Sequence, residues 1–424
     1  MTLEKYNTDG YNIMKYNYGG FEMKKLLSVF LAVLLVLTLA SCQRSQEASL
    51  LSGQTVTDEA TQQTEPLEEN VIKIGVLEPQ SGADSDSGKQ ELLGVQYANK
   101  EAPTITLGEK EYEIKLIISD SGSTYNSEKE AAQTLVNEGV NAVIGTYGAN
   151  GLSAACEVFE KSGIPVISPS SGSVNLQKNA ADVFQMCASD YEQANTLASY
   201  AYNTLGLKNV YIITQLGSNY SASLSLLFKE AFEGMGGTVV SASFESETDD
   251  FTSYVKEAHE KDCKAIFAPI SLSYAKTLIQ SSVLQNSSLA ILGSDTWDSN
   301  ITASTAKGTT ATIYCSSHCD FKTSSALYSN MSNWITLDED LVYLNGGNKA
   351  TPVSAMAYDA YFTLLEAVKS AQSVSPIDIS ASLKTVIYSF QNGEISFDES
   401  GNAKNAQIKI KKLATYYGVW NTVQ

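Results

Sequence analysis

Residues 141–168 read NAVIGTYGANGLSAACEVFEKSGIPVIS. Two short apolar runs, 141–145 and 164–168, enclose a segment at 150–162 whose apolar residues recur at helical spacing. The order predicted is strand, helix, strand. Two such strands lie parallel only if the connection crosses over the sheet, which the helix provides. Upstream, VIKIGVL (71–77) and YEIKLIIS (112–119) read as further buried strands. Helices at about 88–100 and 126–138 fall between them, the second carrying Ala131, Ala132, Leu135 and Val136 on one stripe. Continuous apolar strands alternating with amphipathic helices indicate a parallel sheet covered on both faces.

Downstream the same succession recurs. Strands are expected at 209–214, 238–244, 264–268 and 289–293, and helices at 219–234, 250–262 and 272–285. Two α/β sheets of similar size in one chain imply two lobes with a cleft between them. The remainder holds a strand near 312–316, helices at about 324–335, 353–371 and 378–390, and strands near 394–397, 405–411 and 413–420. One alternation does not absorb these elements, so they are shared between the lobes and the chain crosses more than once.

The 424 residues leave ample length for two lobes. With 47 acidic and 28 basic residues the formal charge is -19. A field of that sign repels phosphate backbones and argues against general nucleic-acid binding. His259 and His318 are the two histidines, and neither has a Ser/Asp constellation that would make a hydrolase. No GxSxG, HExxH, P-loop or GxGxxG occurs, and no cofactor is expected. Asp84-Ser-Asp86-Ser-Gly88 lacks the later ligands of a calcium loop and reads as a loop leading into a helix.

Residues 23–42, MKKLLSVFLAVLLVLTLASC, set the expected compartment. Lys24 and Lys25 precede an apolar run, Leu26 to Ala40, that as a helix would span about 22 Å. That falls short of a membrane core of ~30 Å and fits a signal peptide. Leu39-Ala40-Ser41-Cys42 resembles the lipobox of bacterial lipoproteins. The resemblance implies cleavage before Cys42, a lipid on Cys42, and a membrane-anchored protein outside the cytoplasm. Residues 1–22 fit no signal, and Met23 reads as the true start. Residues 43–70 are polar, lack aromatics and read as a flexible tether. Cys156, Cys187, Cys263, Cys315 and Cys319 are odd in number and cannot pair completely. Mostly free, buried thiols are expected, with one disulfide left open.

In open α/β sheets ligands bind beyond the carboxyl ends of the strands. Here those loops read Gln80-Ser-Gly-Ala, Gly145-Thr-Tyr-Gly-Ala-Asn150, Ser168-Pro-Ser-Ser-Gly-Ser173, Gln215-Leu-Gly-Ser-Asn-Tyr220 and Gly293-Ser-Asp-Thr-Trp297. Small, hydroxyl and glycine residues let backbone N–H groups approach an anion such as a carboxylate. Asp295 adds a charge for an ammonium, and Tyr220 a π-face or hydroxyl.

VIKIGVLEPQSG (71–82), NAVIGTYGANG (141–151), SGIPVISPSS (162–171), VYIITQLGSNY (210–220), ILGSDTW (291–297) and GEISFDESGN (393–402) fall in a familiar order. In it the chain resembles the extracytoplasmic branched-chain amino-acid-binding proteins of ABC importers, the type I, Leu/Ile/Val-type solute-binding proteins. The resemblance covers 71–424. It implies an α/β fold of two doubly wound parallel-sheet lobes joined by three crossovers. By it, lobe 1 comprises 71–189 and 318–390, and lobe 2 comprises 190–317 and 391–424. It implies no enzyme but a monomeric receptor that holds an amino acid or similar small molecule and delivers it to an ABC permease. A ligand-sensing module for a membrane signalling receptor is the alternative.

Carried over residue by residue, the resemblance assigns the ligand's carboxylate to Ser170, Ser171, Gly172 and Ser173. A family serine is replaced by Ala149, with Asn150 beside it, and a family threonine by Gly172. It assigns the ammonium to Tyr220 and Asp295. Tyr147 and Trp297 are expected to wall the side-chain pocket. Family aromatics are replaced by Ser87 and Ile270-Ser271, so the side-chain preference is expected to depart from Leu/Ile/Val.

Overall fold

The computed structural model describes residues 70–173, 182–245, 250–390 and 393–424, excepting the side chains of residues 149, 150 and 390. The leader, Cys42 and the tether at 43–69 lie outside the described residues.

The first sheet forms from β1 (Val71–Glu78), β2 (Thr104–Leu107), β3 (Lys110–Asp120), β4 (Ala142–Gly145), β5 (Val166–Ser168) and β6 (Val183–Gln185). Its order is β2-β3-β1-β4-β5-β6, parallel except for the β2–β3 pair. Helices α1 (Ser85–Glu101), α2 (Tyr125–Asn137) and α3 (Ala149–Ser162) are its crossovers. After α4 (Asp190–Ser199) the second sheet begins with β7 (Asn209–Gln215), β8 (Thr238–Phe244), β9 (Ala265–Ala268), β10 (Ala290–Gly293) and β11 (Thr312–Ser317). Between these run α5 (Asn219–Gly234), α6 (Thr252–Glu260), α7 (Leu272–Leu284) and α8 (Asn300–Ala306).

The chain then returns to the first sheet. Helices α9 (Ala326–Ile335), α10 (Glu339–Asn345), α11 (Pro352–Ala371) and α12 (Pro376–Leu383) follow, then the hairpin of β12 (Tyr388–Phe390) and β13 (Gly393–Ile395). Finally β14 (Lys409–Ala414) and β15 (Val419–Thr422) add antiparallel to β11, giving the order β15-β14-β11-β10-β9-β7-β8. The chain thus crosses between the sheets three times, after 189, after 317 and before 409.

Period-2 alternation explains how each sheet is covered on two faces. From β1, Ile72, Ile74 and Val76 pack with Val95, Tyr361 and Leu364 of α1 and α11. Leu77 faces the other way, among Ala132, Leu135, Leu152 and Phe159 of α2 and α3. In β7, Tyr211 and Ile213 join Val255 and Leu278, while Val210 and Ile212 join Leu197 and Phe228.

Two expectations need correction. The helix foreseen at 378–390 stops at Leu383, and Tyr388–Phe390 pairs as a strand with Gly393–Ile395. The run Val386-Ile387-Tyr388 explains it, since β-branched and aromatic residues lose side-chain freedom in a helix and fit a pleated strand. The resemblance assigns residues 391–424 to the second lobe. Yet Ile395 and Phe397 pack in the first sheet's core, Phe397 edge-on to Phe184. Cys156, Cys187, Cys263, Cys315 and Cys319 are buried and form no disulfide among the described residues. No described helix is long and apolar enough to cross a membrane.

Candidate functional site

The strand ends of both sheets meet at one cleft. Its walls are Asp84, Glu128, Tyr147, Gly148, Gly151, Ser170 and Ser171 from the first sheet's side, and Ser218, Tyr220, Ser271, Asp295 and Thr296 from the second's. The two sides also touch. The Ser271 hydroxyl donates to Asp84 Oδ1 at 2.7 Å, and Lys276 Nζ lies 3.0 Å from Asp86 Oδ2. Gln90 Nε2 reaches Ser299 Oγ at 3.3 Å and the Asn345 carbonyl at 3.1 Å.

Asp295 is the focus of the second side. It opens the short 3-10 turn Asp295–Trp297 after β10, which aims its carboxylate back over the strand ends. Oδ1 accepts from the Tyr220 hydroxyl and from Gln193 Nε2, and Gln193 Nε2 also lies 2.9 Å from Ser316 Oγ. His318 Nε2 stands 3.7 Å from Oδ2. Burial holds the His318 imidazole below its ordinary pKa against the pull of Asp295 and Glu192. Asp295 is therefore a buried acid held by neutral donors, an arrangement suited to a ligand cation.

The first side carries carboxyls of its own. Glu78, at the end of β1, and Glu91, in α1, are both fully buried and close enough that each perturbs the other's ionisation. Glu78 Oε2 accepts the Tyr147 N–H at 3.1 Å, and Glu91 Oε1 accepts the Ser170 hydroxyl. Burial, reinforced by the charge of Glu91, keeps Glu78 well above the usual carboxylate range. Burial pushes Glu91 up to about 7, with the neighbouring Glu78 and the Ser170 hydroxyl opposing. Glu128, in the first turn of α2, faces Gly151 in the first turn of α3. A Cβ at Gly151 would come within 2.6 Å of Glu128 Oε1. Burial, with the charge of Asp84 added, raises Glu128 to about 8. Asp190, at the start of α4, is raised to about 8 by burial and by Asp295. Among the described residues no lysine or arginine lines the cleft.

Of the residues expected from sequence, Tyr147, Ser170, Ser171, Tyr220 and Asp295 meet in the cleft. Trp297 does not wall it. Its ring is fully buried in the second sheet's core, packed over Gly293. Gly172 and Ser173 stand behind the cleft. The Gly172 carbonyl accepts the Asp190 N–H at 2.9 Å, and the Ser173 carbonyl accepts Gln185 Nε2 at 3.3 Å. The side chains of Ala149 and Asn150 lie outside the described residues. Asp84, read as part of a loop leading into a helix, and Ser271, read as standing in place of a family aromatic, are cleft walls. Glu128 was missed although it was visible: it lies on the same helical stripe as Ala131, Ala132 and Leu135, where an acid is out of place.

The family described as "Periplasmic binding protein" matches residues 71–413. A curated "Amino acid binding protein" of Pseudomonas aeruginosa is 31% identical over 148 residues, 34% of this chain and 38% of that protein. The "Leu/Ile/Val-binding protein BraC3" of Rhizobium johnstonii is 27% identical over 180 residues, 41% of this chain and 47% of that one. The matches thus span less than half the length of these relatives. Among solved structures, the leucine binding protein LivK of Thermotoga maritima superimposes with a TM-score of 0.72 at 25% identity, covering 83% of this chain and 98% of that one. LivJ of Streptococcus pneumoniae, solved with isoleucine, gives 0.70 at 22%, covering 83% and 99%. A benzoate-bound solute binding protein of R. palustris gives 0.71 at 17%, covering 83% and 95%. The chain belongs to the periplasmic binding protein family, with the type I fold of two doubly wound lobes, and is a solute-binding protein rather than an enzyme.

Proposed function

We propose that this protein is a lipid-anchored extracytoplasmic receptor that binds an amino acid or amino-acid-like small molecule between its lobes and delivers it to an ABC importer. The observation that carries the ligand class is Asp295, buried in the cleft and held by the Tyr220 and Gln193 side chains with no basic residue among the cleft walls. An ammonium is the group that completes it. The lobes are 71–189 and 318–390, and 190–317 with the end of the chain, the latter rejoining from Lys409. Cys42 is the proposed anchor, and membership of the periplasmic binding protein family supports delivery to a permease. A thermal-shift screen of the purified protein tests the reading. A ligand that binds only the folded state at a hundredfold excess over its Kd adds about 2.7 kcal/mol of stability. Amines or amino acids should raise Tm. A shift with amine-free acids alone would refute the reading.

A further inference from the structure

Resting on the amine-receptor reading, we propose that the first-lobe half of the cleft also takes a cation, so that the ligand class is a compact diamine without a free carboxylate. Three places on that lobe would favour an anion: the Tyr147 N–H, the Ser170 hydroxyl and the first turn of α3. Each already faces a carboxyl of the chain itself. Glu78 takes the N–H at 3.1 Å, Glu91 takes the hydroxyl, and Glu128 lies against Gly151. At these places an incoming carboxylate would meet the chain's own carboxyls, whereas a cation would meet groups that can ionise to face it.

Two further observations point to a ligand rather than to a sealed acid cluster. The Glu128 Oε2 and Ser171 Oγ atoms are buried without a hydrogen-bond partner, on residues only 3% and 4% exposed that line the cleft. Across from them stands Asp295. A molecule with an ammonium at each end would meet Asp295, Tyr220 and Gln193 at one end. At the other it would meet Glu128, Asp84 and Ser171, with Glu91 and Glu78 as the charge reserve behind. Glu91 at about 7 and Glu128 at about 8 hold protons in the empty cleft near neutrality. A cation favours the ionised forms and displaces those protons.

Calorimetry on the purified protein with 1,4-diaminobutane, lysine, leucine and benzoate tests this, in buffers of differing ionisation enthalpy. The expected result is binding of 1,4-diaminobutane at least tenfold tighter than leucine or lysine, with net proton release and affinity that rises from pH 6 to 8.5. Glu128→Gln and Glu91→Gln should each weaken the diamine at least tenfold while both variants keep a cooperative melt. Glu128→Gln suffices alone if Glu91→Gln does not fold. If leucine or lysine binds and the diamine does not, the diamine assignment falls and the amino-acid reading stands. If benzoate alone binds, both fall. If no amine binds, or if diamine affinity is unmoved in Glu128→Gln, the assignment is overturned.

Discussion

At the scale of single residues, Asp295 carries the most weight. It is 6% exposed and its partners are neutral side chains, so a bound ammonium would be its charge partner in a site that excludes water. Removing one member of a desolvated charge pair costs on the order of 2–5 kcal/mol, because the other is left buried and unpaired. Asp295→Ala should therefore weaken the amine that binds by roughly 30-fold to several-thousandfold, at ~1.4 kcal/mol per factor of ten. Titration calorimetry reads this directly. Tyr220→Phe removes one hydrogen bond to Asp295 and should weaken binding by roughly 5–100-fold, since a hydrogen bond to a charged group contributes about 1–3 kcal/mol. Asp295 and Tyr220 were legible because they stand directly after apolar strands, where an α/β sheet puts its ligand. Glu128 was legible only as an acid on an apolar helical stripe, and the carboxyls of Glu78 and Glu91 were not legible at all. Each lies inside an element, and only the packing of α1 and α2 shows that these positions face the cleft floor. Trp297 shows the converse: its loop position is right, but the 3-10 turn directs its ring into the core.

At the scale of elements, the site depends on how closely α1 approaches α11. Gly94 in α1 lies against the backbone of Ser354 in α11, where a Cβ would meet the Ser354 carbonyl oxygen at 2.1 Å. Backbone does not yield as a side chain tip does. Gly94→Ala should therefore push the helices apart and destabilise by at least ~1–3 kcal/mol, the range for an overpacked core. Because α1 also carries Glu91 and follows Asp84, ligand affinity should fall with it. A denaturant titration with a lowered midpoint and an unchanged slope checks the first part; an unchanged midpoint would mean that α1 shifts freely. The helices bordering the main strands were legible from their period. α8 and α10 were not, being only seven residues each, and α4 was not, because DYEQANTLAS is mostly polar. Its readable signal was Ser189-x-x-Glu192, a capping box in which each side chain binds the other's backbone N–H. The short strands β2 and β6 were missed for a different reason: three or four residues carry too little periodicity to stand out from a loop.

At the scale of the whole molecule, both the lobes and the protons are expected to move with the ligand. Only the arrangement with the lobes in contact brings Asp84 to Ser271 and Asp86 to Lys276, and a ligand touching both sides shifts the population toward it. Small-angle scattering should give a smaller radius of gyration with the bound amine than without. An unchanged radius would mean that one lobe alone makes the site. The same burial that builds the site sets how stability varies with pH. Glu78, Glu91, Glu128, Asp84, Asp190 and Asp359 are all raised in the folded state, each chiefly by burial. Between about pH 4.5 and 8 the unfolded chain has these groups ionised while the folded chain retains protons. The folded state then binds more protons, and stability falls as pH rises through that window. His318 works the other way below pH ~6.5, since burial lowers its pKa, but it is one proton against several. The lowered carboxyls Asp120, Glu157 and Asp250 act only below about pH 4, outside the window. The empty protein should thus melt at a higher temperature at pH 5.5 than at pH 8. Glu128→Gln should flatten that slope and raise Tm at pH 8, because it removes a group forced to ionise in a buried place. A saturating diamine should flatten it too, by giving the ionised carboxyls a charge to face. A melting temperature that rises from pH 5.5 to 8 in the empty protein would show that these carboxyls are solvated in solution, and that the cleft stands open and wet until its ligand arrives.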